Sequence, residues 1–266
     1  MSTHLTVTST EQLTPRLTRV WFHSKDLSAF EGNASTDRYV KLVFPKAGVT
    51  YSDPLDMRAL RGTIPREDMP VVRTYTALFP SVAAGTLAID FVIHGDEGVA
   101  GPWAAAAQPG DTLLANGPGG GYRPDLDADW HLLAGDESAI PAITAALAAL
   151  NAERQDAVVR VVIVIDGPGY EPELSLPTGA ELIVVHREAG GDLVEAVRAL
   201  PWPDGRVHAF VHGEGNAVMH GIRPYLLRER GLGRDQVSIS GYWRQGRTEE
   251  GFRDWKSELA AAESAT

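Results

Sequence analysis

At 266 residues, 44% of them hydrophobic, the chain is long enough for two domains that each bury a core. The absence of cysteine excludes a disulfide scaffold, thiolate zinc sites and cysteine-ligated iron–sulfur clusters, and the net charge of −11 argues against nucleic acid as a partner. Neither a signal peptide after Met1-Ser2-Thr3-His4 nor an apolar run of about 18 residues is visible, so a cytoplasmic protein without a membrane partner is expected.

The first half reads as strands. Leu5–Ser9, Leu17–His23 and Tyr39–Phe44 carry β-branched and aromatic residues between turn signals. Alternation in the third sends Tyr39, Lys41 and Val43 one way and Val40, Leu42 and Phe44 the other, so Lys41 faces away from the apolar set. The insert Ala47–Met69, with Arg58, Arg61 and Arg66, is poorly patterned; a loop that long is usually functional or mobile, though a charge run is more often a solvated face. Val71–Leu78, between Pro70 and Pro80, is expected as one strand with Arg73 and Tyr75 on one face and Thr74 and Thr76 on the other. Arginine offers a planar fork to phosphate and tyrosine a flat ring. A ligand with both groups would use the pair; the plainer alternative is a barrel strand with one snorkelling arginine.

Leu87–His94 reads as the next strand. It leads through Gly95-Asp96-Glu97-Gly98-Val99-Ala100-Gly101-Pro102-Trp103 to the helix-compatible run Ala104–Ala107. Small residues ahead of a helix expose N–H groups at its positive end, a seat for pyrophosphate, although a Gly-rich turn alone is more often just a turn. Thr112–Asn116 and the turn Gly117–Gly121 are expected to close a barrel. Beyond it, His131–Ala134, Val158–Ile165, Leu182–His186 and His208–His212 read as buried parallel strands. Helices to about Leu150 and over Leu193–Leu200 alternate with them, which implies a three-layer α/β domain. Gly135 with Pro141 stands where a Gly-x-Gly-x-x-Gly would otherwise be expected. Asp136 and Glu137 suit a helix start and would compete with a pyrophosphate there, beside Ser138. Gly213 and Glu214 follow the last strand at its carboxyl end, where open α/β sheets bind ligands. Ser138 and His94 make no hydrolase pair, since the Gly-x-Ser-x-Gly elbow is missing, and His208 and His212 read as structural; no metal site is expected. Phe252, Trp255 and Leu259 recur at helical spacing, so a short docking helix is expected at the end.

The Arg73-Thr74-Tyr75-Thr76 stretch resembles the flavin-binding strand of the ferredoxin-reductase-like barrel. That segment occurs in order with Lys41-Leu42-Val43-Phe44-Pro45, Asp90-Phe91-Val92-Ile93-His94-Gly95, Gly98-Val99-Ala100-Gly101-Pro102-Trp103-Ala104 and Gln108-Pro109-Gly110-Asp111. Together they resemble the siderophore-interacting protein family of FAD-dependent ferric-siderophore reductases, over nearly the whole chain. The resemblance implies an antiparallel FAD-binding β-barrel (residues 1–127), an α/β NAD(P)H-binding-type domain (128–241) and a C-terminal tail (242–266) returning to the active-site cleft. It implies FAD at Arg73, Tyr75, Thr76, Asp90, Phe91, Val92, His94, Gly98, Val99, Ala100, Gly101 and Trp103, with NADPH or NADH at Gly135, Asp136, Glu137, Ser138, Gly213 and Glu214. A ferric siderophore would meet Lys41, Arg244 and Arg247. Trp243, in Tyr242-Trp243-Arg244, would cover the flavin or anchor the tail, with anchoring favoured. A ferredoxin is the alternative donor, the default is a monomer, and no protein acid, base or nucleophile is required. Two other readings stay open: a flavin reductase of the same fold with another acceptor, and a siderophore-binding protein without flavin.

Overall fold

The computed structural model describes residues 2–51, 55, 57–93, 95, 98–247, 251, 252 and 255, in two compact units. One takes the described residues to Ala34 and Arg38–Gly120; the other takes Ser35–Asp37 and the described residues from Gly121 onward.

The first unit is an antiparallel sheet of β1 (Ser2–Thr14), β2 (Leu17–His23), β3 (Tyr39–Phe44), β4 (Val71–Thr76), β5 (Leu78–Ser81), β6 (Thr86–Val92) and β7 (Thr112–Gly119), with the short helices α1 (Met57–Leu60) and α2 (Ala100–Ala106). Its strand order is β4-β3-β7-β1-β2-β6-β5. The segment expected as one strand, Val71–Leu78, is broken. Ala77 donates its N–H to the Arg38 carbonyl (2.7 Å), and beyond it the chain pairs with β6 instead of β3. That break fixes the shape of the sheet. β4 and β5 lie at opposite ends of the order yet are joined by one residue, which cannot span the roughly 29 Å width of a flat seven-stranded sheet. The sheet must therefore roll up, and the Tyr75 ring of β4 meets the Phe91 ring of β6 at 4.6 Å. Leu5, Val20, Phe22, Leu42, Leu87, Ile89 and Phe91 fill the interior.

The second unit holds β8 (Trp130–Asp136), α3 (Ile140–Glu153), β9 (Val158–Ile165), β10 (Gly179–His186), α4 (Leu193–Ala199), β11 (Val207–Glu214), a helix α5 (215–229) and β12 (Val237–Trp243). All pairings are parallel, in the order β10-β9-β8-β11-β12. The chain moves outward from β8 to β9 and β10, then crosses to β11 and β12. The switch point therefore lies between β8 and β11, where ligands bind in such sheets. Two elements go beyond the sequence reading. β12 is a half-exposed strand whose Ser238 and Ser240 interrupt its apolar residues. α5 contains Gly221 and Pro224 and widens to the π form over Ala217–Ile222 and Tyr225–Glu229. No helix among the described residues is long and apolar enough to cross a membrane.

Candidate functional site

In the first unit, Tyr75 stands opposite Val40 and Arg73 opposite Leu42, while Thr74 stands opposite Lys41 and Thr76 opposite Tyr39. Directly opposed residues share a face. Arg73 and Tyr75 thus occupy the face of buried Val40 and Leu42, both half-buried, whereas Lys41 and Thr74 are exposed on the other face and Thr76 is buried beyond them. The alternation read from sequence holds. Lys41 therefore projects from the face opposite to the Arg73–Tyr75 pair.

β6 departs further from expectation. Asp90 is buried and accepts a bidentate pair from Arg19 on β2, Nε at 2.7 Å and Nη2 at 2.8 Å. Burial pushes its pKa up, against the guanidinium that lowers it. The carboxylate thus faces Arg19, not an outside ligand, and the Phe91 ring lies in the core. Trp103 does the same work from α2, its ring 6.3 Å from Phe22, 5.9 Å from Phe44 and 5.8 Å from Phe91. These side chains position the site by packing. At the start of α2, no side chain caps the helix, and Pro102 in the first turn has no N–H to satisfy. Gly98 (φ 79°) makes the entry turn with nothing within 4 Å of where a Cβ would stand, and Gly101 has only ordinary contacts there. A half-buried arginine and tyrosine, with an uncapped, glycine-flanked helix start in the same unit, suit a dinucleotide with an aromatic ring. His94 lies outside the described residues.

In the second unit, the residues at the switch point are mostly committed to one another. Asp136, fully buried at the end of β8, accepts from Ser138 N (3.0 Å) and Oγ (2.5 Å), from Glu214 N (2.7 Å) and from Trp243 Nε1 (2.8 Å). Burial pushes this carboxyl's pKa up while the donors oppose the shift. Glu214 accepts from Ala217 N (2.8 Å) and Gln245 N (3.3 Å), tying the start of α5 to the segment after β12. Asp136, Ser138 and Glu214, expected at the nicotinamide cofactor, thus use these groups to shape the loops. The two glycines are required by close packing of the strand ends: a Cβ at Gly135 would lie 2.4 Å from the His212 carbonyl oxygen, and one at Gly213 would lie 2.6 Å from Asp136 Oδ2. His208 Nδ1 accepts from Asp125 N (3.0 Å), and His212 Nε2 pairs with Ser238 Oγ (3.0 Å). Glu137 faces Arg187, a partner that sequence reasoning missed because fifty positions separate the two.

Past β12, a pocket of about 300 Å³ is lined by Glu214, Asn216, Arg244, Gln245 and Gly246. The Arg244 guanidinium sits over the Trp255 ring at 4.8 Å, and its buried Nη1 has no hydrogen-bond partner among the described residues, while exposed Arg247 reaches the Gly251 carbonyl (3.3 Å). Phe252 is buried and stacks on Trp255 at 5.6 Å. Leu259 lies outside the described residues.

A rolled antiparallel sheet followed by a parallel α/β sheet defines a ferredoxin-reductase-like fold. The ferredoxin reductase of carbazole 1,9a-dioxygenase matches it over 91% of this chain and 70% of its own, with TM-score 0.67 at 15% identity. More particularly, residues 6–122 match the siderophore-interacting FAD-binding domain and residues 128–246 the siderophore-interacting protein domain, so the chain belongs to the siderophore-interacting protein family. The ferric vibriobactin reductase of Vibrio cholerae is 32% identical, covering 90% of this chain and 88% of its own. The NADPH-dependent ferric-chelate reductase of Escherichia coli is 29% identical, over 90% and 91%. A crystal structure of a siderophore utilization protein from T. fusca superposes with TM-score 0.76 at 33% identity, covering 93% of this chain and 94% of that one.

Proposed function

We propose that this protein is an FAD-dependent ferric-siderophore reductase that draws electrons from NADH or NADPH and releases iron as Fe(II). The observation that carries the reading is the half-buried Arg73–Tyr75 pair in the unit whose α2 helix begins uncapped after Gly98. Arg73 would neutralise phosphate, the Tyr75 ring would pack on a flat heterocycle, and Thr76 would orient its polar edge. The backbone of Val92 and of Gly98–Gly101, with Val99 and Ala100 between, would receive the pyrophosphate. FAD held there would supply the redox chemistry that links a two-electron donor to one-electron reduction of chelated iron(III). The nicotinamide donor would lie over Gly135 and Gly213 at the switch point. Lys41, Arg244 and Arg247 would attract an anionic ferric chelate, Arg244 from the wall of the pocket past β12.

The test is the absorption spectrum of the purified protein, then anaerobic addition of NADH or NADPH. A flavin spectrum that bleaches, and recovers when a ferric siderophore is added with a chelator trapping iron(II), is the expected result. Yellow protein indifferent to both nucleotides would transfer the donor role to a partner protein such as a ferredoxin. Protein that stays colourless when offered FAD would overturn the assignment of Arg73 and Tyr75.

A further inference from the structure

We infer that Glu137, Asp166 and Arg187 form the subsite for the adenosine ribose of the nucleotide donor and select NADH against NADPH; this rests on the nicotinamide-donor reading above. Each is the first residue beyond a strand: Glu137 after β8, Asp166 after β9 and Arg187 after β10. The three strands are adjacent and parallel, so their carboxyl ends stand side by side next to the β8–β11 switch point. In a nucleotide-binding sheet, an acid at the end of the second strand meets the ribose diol, whereas an arginine there takes a 2′-phosphate. This chain has both, and the contacts of Arg187 decide between them.

Arg187 holds Glu137 bidentately, Nη1 to Oε1 at 2.6 Å and Nη2 to Oε2 at 2.5 Å, and Nη1 also reaches Asp166 Oδ1 at 2.7 Å. Nη2 makes a longer contact with the Val164 carbonyl (3.4 Å). Two carboxylates on one guanidinium leave a net negative cluster. The side chains keep 34% (Arg187), 15% (Glu137) and 24% (Asp166) of their surface exposed, enough to touch a ligand. A 2′-phosphate arriving here would meet like charge and would have to break a bidentate pair to reach Arg187. A 2′,3′-diol has hydroxyls to donate to carboxylate oxygens and displaces nothing. The Escherichia coli relative is named for NADPH, so the preference belongs to these residues and not to the family as a whole.

The experiment is calorimetric titration of FAD-loaded protein with NADH and with NADPH, repeated with the redox-silent pair 5′-AMP and 2′,5′-ADP. NADH should bind at least about tenfold tighter than NADPH, and 5′-AMP should match or exceed 2′,5′-ADP. Glu137→Gln, which removes one charge and loosens Arg187, should tighten NADPH by about tenfold and so narrow or erase the NADH preference. Asp166→Asn should weaken NADH. Equal binding of the two nucleotides by the unaltered protein, or an NADPH preference that Arg187→Leu abolishes, would overturn the subsite while leaving the donor reading intact. Failure to bind either nucleotide would remove the donor reading and the subsite with it.

Discussion

Asp136 shows how far a residue's role can lie from its local sequence context. Read locally it is an acid at a helix start; in the fold it is a buried acceptor for four donors, one of them the Trp243 indole 107 positions away. No period or motif announces a partner at that distance. Asp136→Leu removes the acceptor and strands three N–H groups in the interior, so a loss of about 3 kcal/mol or more is expected in urea unfolding. Trp243→Phe removes a single donor and should cost about 1–2 kcal/mol. Comparable losses for the two variants would contradict the node. His131 makes a second case. It is fully buried on β8, neither ring nitrogen has a hydrogen-bond partner among the described residues, and the His208 ring lies 6.4 Å away. Burial pushes its pKa down to about 4, helped by the nearby His208. An unfolded histidine titrates near 6.5, so the unfolded chain binds the extra proton between about pH 6.5 and 4. Its share of stability is therefore complete above that window and is lost as pH falls through it, by roughly 3 kcal/mol in all. His131→Phe should flatten the urea midpoint between pH 7 and 4.5; an unchanged slope would remove His131 from the acid limb.

At the scale of elements, the strands with the plainest apolar runs were the legible ones: Leu17–His23, Tyr39–Phe44 and Val158–Ile165 appear with the bounds their residues suggest. What escaped was set by tertiary pairing. The break at Ala77 depends on the Arg38 carbonyl, and β12 is a strand because β11 offers an open edge. α2 likewise has little helix-forming strength of its own beyond its alanines, and at seven residues it cannot stand alone. Its hold on the barrel is the Trp103 ring among Phe22, Phe44 and Phe91. Trp103→Ala should accordingly cost about 3–5 kcal/mol and also release FAD, because the helix start would lose its position. Tyr75→Leu should separate the two effects, lowering flavin retention on a desalting column while the unfolding midpoint of flavin-free protein moves little. If both variants lost stability and flavin in the same proportion, Tyr75 would be a core residue only.

At the scale of the molecule, two domains could be read from the change between alternating and continuous apolar strands, but not the passage of Ser35–Asp37 into the second unit. That passage rests on Thr36 N donating to the Tyr122 carbonyl (2.7 Å) and on Asp37 Oδ1 accepting from Gly121 and Tyr122 N–H groups more than eighty positions away. The charge balance, by contrast, is plain in composition and bears directly on the substrate. A net charge of −11 repels an anionic chelate at long range, so only a local basic group can attract it. Lys41 on the first unit and Arg247 on the second are exposed and cationic, and the proposed role gives them that task. Salt then separates local attraction from global repulsion, since the Debye length is about 10 Å at 0.1 M. For the unaltered protein, KM for an anionic ferric siderophore should rise as salt increases from about 20 to 200 mM, because the dominant local attraction is screened. With Lys41→Ala and Arg247→Ala combined, KM should start about tenfold higher and rise less steeply over the same range, because Arg244 alone is left to attract the anion. Reduction of a neutral quinone should be indifferent to both changes. A rise as steep in the double variant as in the unaltered protein would place the anion's attraction elsewhere on the chain.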